Sequence, residues 1–179
     1  MKVPLSWLRE YCDPGLAPEG LAERLSMTGT EVARVARVGA PSADGFVVGR
    51  VLSAEPHPNA DRLSVCEVDT GDGARTIVCG APNVAAGQTV PVALPGAVLP
   101  DGRELGRAKL RGVVSDGMIL SEAELAIGDD AAGIMVLEGG LAPGTPLDRV
   151  LPVAEPVLEL ELTPNRPDCL GVYGVAREV

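Results

Sequence analysis

Four short apolar runs, at residues 47–52, 63–68, 76–79 and 89–94, are rich in Val and are separated by Gly, Pro, Asn and Asp. β-Branched side chains lose rotamer freedom in a helix and pack well on a pleated surface, so these runs predict strands. The breaks between them fall at the intervals typical of small barrels and sandwiches. Aromatic residues make up only 2% of the chain (Trp7, Tyr11, Phe46 and Tyr173), against 46% hydrophobic residues. The core must therefore be built from Val, Leu, Ile and Ala.

A helical piece at 121–127 follows the four runs. Ser121 and Glu124, three residues apart, form the pattern of a capping box. Another strand is expected at 133–137. Five or so strands with one short helix fit an OB-type barrel. Two seams of turn and linker composition flank this region, Gly39-Ala40-Pro41-Ser42-Ala43-Asp44-Gly45 and Leu141-Ala142-Pro143-Gly144-Thr145-Pro146. They leave a head of about 38 residues and a tail of about 28, each below the size that usually folds alone. The expected fold class is therefore α+β. An OB-type small barrel, β-rich with one short helix, occupies residues 39–151. It is inserted into a small α/β domain made of residues 1–38 and 152–179.

Within the head, Leu5, Leu8 and Tyr11 fall three apart, as on one face of a short helix over 4–11. Pro18 stands where a first helical turn tolerates it, and Leu21 and Leu25 follow at helical spacing. Residues 31–38 carry a weak strand signal. In the tail, residues 157–162 alternate strictly, with Val157, Glu159 and Glu161 on the expected wet face. Asp168 is expected to cap a final helix over 170–179. No stop signal follows that helix, which suggests a chain cut from a longer polypeptide; a natural end on a short helix is the alternative.

The formal net charge is -10, from 15 Lys and Arg against 25 Asp and Glu. Bulk electrostatics therefore cannot hold a nucleic acid, and any such contact needs a local basic patch. Cys12, Cys66, Cys79 and Cys169 form no Cys-x-x-Cys pair and His57 is the only histidine, so no metal site is expected. The cysteines read as small buried hydrophobes. No apolar run reaches the roughly 20 residues of a membrane helix, and no leader opens the chain, so a soluble, cytoplasmic protein with no membrane partner is expected.

The expected barrel contains His57-Pro58-Asn59-Ala60-Asp61-Arg62-Leu63. Ile77-Val78-Cys79-Gly80-Ala81-Pro82-Asn83-Val84 and Ala93-Leu94-Pro95-Gly96-Ala97 follow. Then comes Leu110-Arg111-Gly112-Val113-Val114-Ser115-Asp116-Gly117-Met118, with Ser121 and Glu124-Leu125 last. In this order the series resembles the tRNA-binding domain family over most of residues 46–128. The flanks carry a second resemblance. Pro4-Leu5-Ser6-Trp7-Leu8, Met27-Thr28-Gly29-Thr30-Glu31-Val32 and Leu162-Thr163-Pro164-Asn165-Arg166-Pro167-Asp168-Cys169-Leu170-Gly171 resemble the family of bacterial phenylalanine–tRNA ligase beta chains. Met118-Ile119-Leu120-Ser121 departs from the Leu-Cys usual before that Ser, and Ala126 from the usual Gly.

The resemblance implies the N-terminal part of such a beta chain, with tRNA, the alpha subunit and the remaining beta-chain domains as partners. The parent is implied to be a heterotetramer of two alpha and two beta chains that uses ATP and magnesium. Catalysis is implied to lie in the alpha chain, so no catalytic residue and no cofactor is expected here.

The candidate tRNA-binding residues are Arg62, Arg103, Arg107, Lys109, Arg111 and Ser115. On alternating strand positions, Arg107, Lys109 and Arg111 would share one face and could neutralise phosphates. The competing reading is a solvated strand face that keeps an edge from aggregating. Asn59, Asn83, Met118, Ser121 and Asn165 read as structural motif residues, the two barrel asparagines bonding their own backbone. His57, between two prolines, also reads as structural. With Phe46 the only barrel aromatic, base stacking is not expected, and tRNA would be read by its backbone. The alternative function is an OB module that braces the synthetase by protein contacts.

Overall fold

The Val-rich runs become strands of one antiparallel sheet, and the longest of them organises it. In the computed structural model, which describes residues 1–179, β1 is Lys2–Pro4, β2 Glu31–Gly39, β3 Phe46–Pro56, β4 Ser64–Asp69, β5 Ala74–Cys79 and β6 Thr89–Ala93. The later strands are β7 Ala108–Leu110, β8 Val113–Ser115, β9 Met118–Ile119 and β10 Ala154–Glu161. The chain divides into two compact units, residues 39–154 and the pair of segments 1–38 and 155–179.

In the first unit the strand order is β5-β4-β3-β6-β9. β3 pairs with β4 on one side and β6 on the other, and its register shifts between Val51 and Ser53. Such a bulge increases local twist and bends the sheet toward closure. The segment after β8 then meets the far edge. Asp116 N–H donates to Thr76 O (2.8 Å) and Val78 N–H donates to Ser115 Oγ (3.0 Å). The result is a nearly closed, OB-like barrel, as the spacing of the runs predicts.

Alternation along β3 sends side chains to two aliphatic cores. Phe46 and Val48 join Ala93, Leu99, Leu120, Leu125 and Leu147, while Val51 joins Cys66, Val68, Ile77, Val90 and Val92. Gly49 lies between: a Cβ there would stand 2.6 Å from Val92 Cγ2 and 2.8 Å from Val68 Cγ1. The missing side chain lets the strand approach its neighbours. α3, Glu122–Leu125, starts in the expected capping box, with Ser121 Oγ accepting from Glu124 N–H and Glu124 Oε2 accepting from Ser121 N–H (2.7 Å).

The strand expected at 133–137 is not formed. Its backbone finds three scattered partners instead of one ladder: Ile134 N–H donates to Asn83 Oδ1, Met135 N–H to Leu120 O and Leu137 N–H to Thr89 O. Ile134 and Leu137 also enter different cores. Conversely, the β7–β8 hairpin is too short for periodicity to announce.

The other unit has the sheet order β1-β10-β2. Its helices are α1 Leu5–Arg9, α2 Pro18–Met27, with Pro18 in the first turn as expected, and α4 Val172–Ala176. Leu5, Leu8, Leu21 and Leu25 pack on Val3, Leu158, Leu160, Cys169 and Val175. Glu159 faces outward as expected, but Val157 is buried. The expected helix over 170–179 is broken into a 3-10 turn, Pro167–Leu170, and α4. Asp168 does not cap it: Gly171 stands at the cap, and the Asp168 carboxylate accepts from Arg166 instead.

Candidate nucleic-acid interface

Between β3 and β4 the chain runs through a proline-flanked loop over residues 57–63. His57 is buried there. Asn59 N–H donates to His57 Nδ1 (3.0 Å), so the ring proton sits on Nε2, which donates to Leu110 O (3.1 Å). Asn59 Nδ2 donates to Arg111 O (3.1 Å). Both carbonyls lie at the tip of the β7–β8 hairpin, 52 or 53 residues away in sequence. Two side chains thus tie the loop that carries Arg62 to the hairpin that carries Lys109 and Arg111. All three cations are exposed, and none enters an ion pair.

The alternating strip is corrected by this geometry. β7 ends at Leu110, and Arg111 sits in the turn at φ 49, the left-handed region disfavoured for a residue with a side chain. Arg107 lies before the strand and donates to Asp116 (2.5 Å), which also takes Arg75 (2.9 Å). The Arg107 guanidinium, followed by Arg75, holds the Asp116 carboxyl below the usual carboxylate range. Arg103 is committed too, pairing with Asp101 in its own turn (2.6 Å). The interface cations therefore come from a loop and a turn, and not from one strand face.

Ser115 is not available to a phosphate. It is buried, and its Oγ accepts from Val78 N–H while donating to Gly117 O (2.9 Å). Asn83 and Asn59 are structural, but not through their own backbone. Asn83 clasps residue 134 at both ends of its amide, with Nδ2 donating to Ile134 O and Oδ1 accepting from Ile134 N–H, each 2.9 Å. Met118 packs half-buried against the core with Leu120 and Leu125. Asn165 is exposed in the turn after β10.

A groove of about 1010 Å³ opens beside β5 and β9, lined among others by Cys79, Leu99, Met118, Ser121 and Glu124. Ser121 and Glu124 satisfy each other in the capping box. Burial pushes the Cys79 thiol up, and it carries Cys66 up to about 11, so neither is a nucleophile at neutral pH.

In the other unit, Asp168, Cys169 and Glu178 each offer a ligand atom within 4.8 Å of the others. Arg166 occupies that cluster, with Nη2 at 2.9 Å from Asp168 and 2.8 Å from Glu178. A guanidinium there already supplies the positive charge, so this set does not fit magnesium or another cation. The same unit exposes three of the four aromatic residues: Trp7 by 59%, Tyr11 by 57% and Tyr173 by 63%. Tyr11 and Tyr173 meet edge to face, centroids 5.8 Å apart. Phe46 is buried, so the barrel offers no ring for a base to stack on. No helix is long and apolar enough to cross a membrane.

Sequence reasoning found the cations and the His-Pro-Asn string but missed what links them. A bond spanning some fifty residues leaves no periodicity to read. The exposed aromatic face of α1 was legible in principle, because Trp7 and Tyr11 are four apart and out of phase with Leu5 and Leu8.

Comparison with known proteins follows the same division. A family model described as "Putative tRNA binding domain" matches residues 46–146. Over the full chain the sequence is 48% identical to a phenylalanine–tRNA ligase beta subunit of Syntrophus aciditrophicus and 49% identical to one of Bordetella parapertussis. The chain spans 22% of the length of each. Among solved structures, a MetRS related protein from Pyrococcus horikoshii aligns over 56% of this chain and 85% of its own, at 23% identity and a TM-score of 0.43.

Proposed function

The chain belongs to the tRNA-binding domain family through residues 46–146, and from that premise we propose that its barrel binds tRNA by the phosphate backbone as part of a phenylalanine–tRNA ligase. The observation that carries this reading is the set of exposed, unpaired cations Arg62, Lys109 and Arg111 on two segments tied together by His57 and Asn59. Cations held on a tied surface neutralise phosphates without sequence preference and position the RNA. The buried Phe46 and acidic barrel support a weak, shape-directed contact over stacking or bulk attraction.

In this reading the chain acts in the cytoplasm beside an alpha subunit and further beta-chain domains, within a heterotetramer of two alpha and two beta chains. Phenylalanine, ATP and magnesium react elsewhere in that assembly, and this part holds RNA. The similarity to beta subunits over the whole chain supports the assignment.

The test is the affinity of this chain for folded tRNA at several salt concentrations. Removing Lys109 and Arg111 together should flatten the log–log slope by nearly two, since each phosphate contact contributes close to one. An unchanged slope, or no binding at low salt, overturns the reading and leaves bracing by protein contacts.

A further inference from the structure

We infer that Asn59 is a positioning residue for RNA contact, acting through Arg111: its side-chain amide holds the hairpin turn in the left-handed shape that presents the Arg111 guanidinium. The inference rests on the proposed tRNA contact and concerns how the same surface is kept ready. Arg111 stands at φ 49, which costs energy for any residue with a Cβ. It therefore needs an external restraint, and two are present. Asn59 Nδ2 donates to the Arg111 carbonyl itself, and His57 Nε2 donates to the carbonyl one residue earlier.

The geometry around the turn is consistent with a restraint from one side. Gly112, at φ 104, follows Arg111, and the nearest atom to a Cβ built there is Asn59 Nδ2, at 3.5 Å. Asn59 thus lies against both turn residues. Its own backbone N–H is fixed by His57 Nδ1, so the side chain reaches the hairpin from a rigid base. A long, exposed arginine on a free two-residue turn would lose more conformational entropy on binding than one on a held turn. Asn59 lowers that cost without carrying charge.

The experiment is a double-mutant cycle on tRNA affinity at low salt, with Asn59→Ala, Arg111→Gln and the pair, all in this chain. Arg111→Gln removes the charge and keeps a side chain at the turn. Asn59→Ala is expected to weaken binding about fivefold, the factor one ordinary hydrogen bond is worth. In the Arg111→Gln background it should cost less than about twofold, because no guanidinium remains to be presented. Hydrogen exchange should rise at residues 110–113 and stay unchanged along β3 and β4.

Equal weakening in both backgrounds overturns the inference, because Asn59 then acts on folding or on RNA directly. Full affinity in Asn59→Ala also overturns it while leaving the proposed function standing. If Arg111→Gln binds as tightly as the unaltered chain, the proposed function itself fails at this residue. Should Asn59→Ala fail to fold, Asn59→Asp keeps the shape, cannot donate to the Arg111 carbonyl, and must show the same loss of effect in the Arg111→Gln background.

Discussion

The two units use their polar and aromatic residues in opposite ways. The barrel buries Phe46 and leaves Arg62, Lys109 and Arg111 free at the surface. The other unit exposes Trp7, Tyr11 and Tyr173, and engages much of its charge in ion pairs. There Glu159 gathers Arg34 and Lys2 across the sheet, and Arg166 gathers Asp168 and Glu178. A free cation on a turn suits a flexible polyanion, whereas exposed rings beside neutralised charge make a surface with little attraction for phosphate. The difference teaches that net charge is the wrong scale for judging this chain. A barrel in which carboxylates outnumber cations can still offer phosphate contacts, because Asp101 and Asp116 are matched to Arg103 and Arg107 and leave the other three alone.

The sharpest way to break the comparison is to remove all three free cations. Arg62→Ala, Lys109→Ala and Arg111→Gln together should abolish measurable tRNA binding at moderate salt and flatten the low-salt slope by nearly three. Trp7→Ala should change affinity less than about twofold in the same titration, and a loss like that of the cation variant would erase the contrast.

Next in size is the packing of β3. Gly49→Val would drive methyl groups into Val92 and Val68 and should destabilise the barrel by about 3 kcal/mol or more in urea unfolding, at the top of the range for overpacking. Trp7 emission in the native chain should remain quenchable by iodide.

A third substitution sharpens the role of matched charge. Asp116→Asn should release Arg107 and steepen the salt slope for tRNA by about one, with tighter binding at low salt. An unchanged slope would show that Arg107 is not aimed at RNA even when free.

The smallest effect is the acid response of the paired unit. The Arg166 guanidinium, aided by the Cys169 thiol, holds Asp168 at about 2, below the usual value near 3.9. A depressed carboxylate contributes stability that is complete above the ordinary value and is lost as pH falls through the folded one. Stability should therefore decline between about pH 4 and 2, and Asp168→Asn should flatten that part of a urea-midpoint titration. Asp116, also depressed by its arginines, acts with the same sign in the barrel.

Much of the β-rich architecture was legible because its signals are local. The Val-rich runs at 47–52, 63–68, 76–79 and 89–94 became β3 to β6, and Ser121 with Glu124 formed the capping box over one helical turn. The ordered motif series was sufficient for the family match over residues 46–146. The failures share a cause. Residues 133–137 have strand-like composition but are held by Asn83, Leu120 and Thr89 from elsewhere. Arg107, Lys109 and Arg111 have strand spacing, yet a left-handed residue ends the strand after Leu110. Ser115 reads as a surface hydroxyl and is instead the link between β8 and β5.

The sequence by itself determined which segments could be strands, where the single capped helix of the barrel starts, and that no aromatic platform could stand on the barrel. Periodicity, β-branching and cap chemistry act over a few residues, so they survive in a linear reading. Only the tertiary structure decided which cations stay free and which hydroxyls and amides are used up. Those outcomes depend on pairs such as Asn59 with Arg111 and Asp116 with Arg75, whose partners meet only after the barrel has closed.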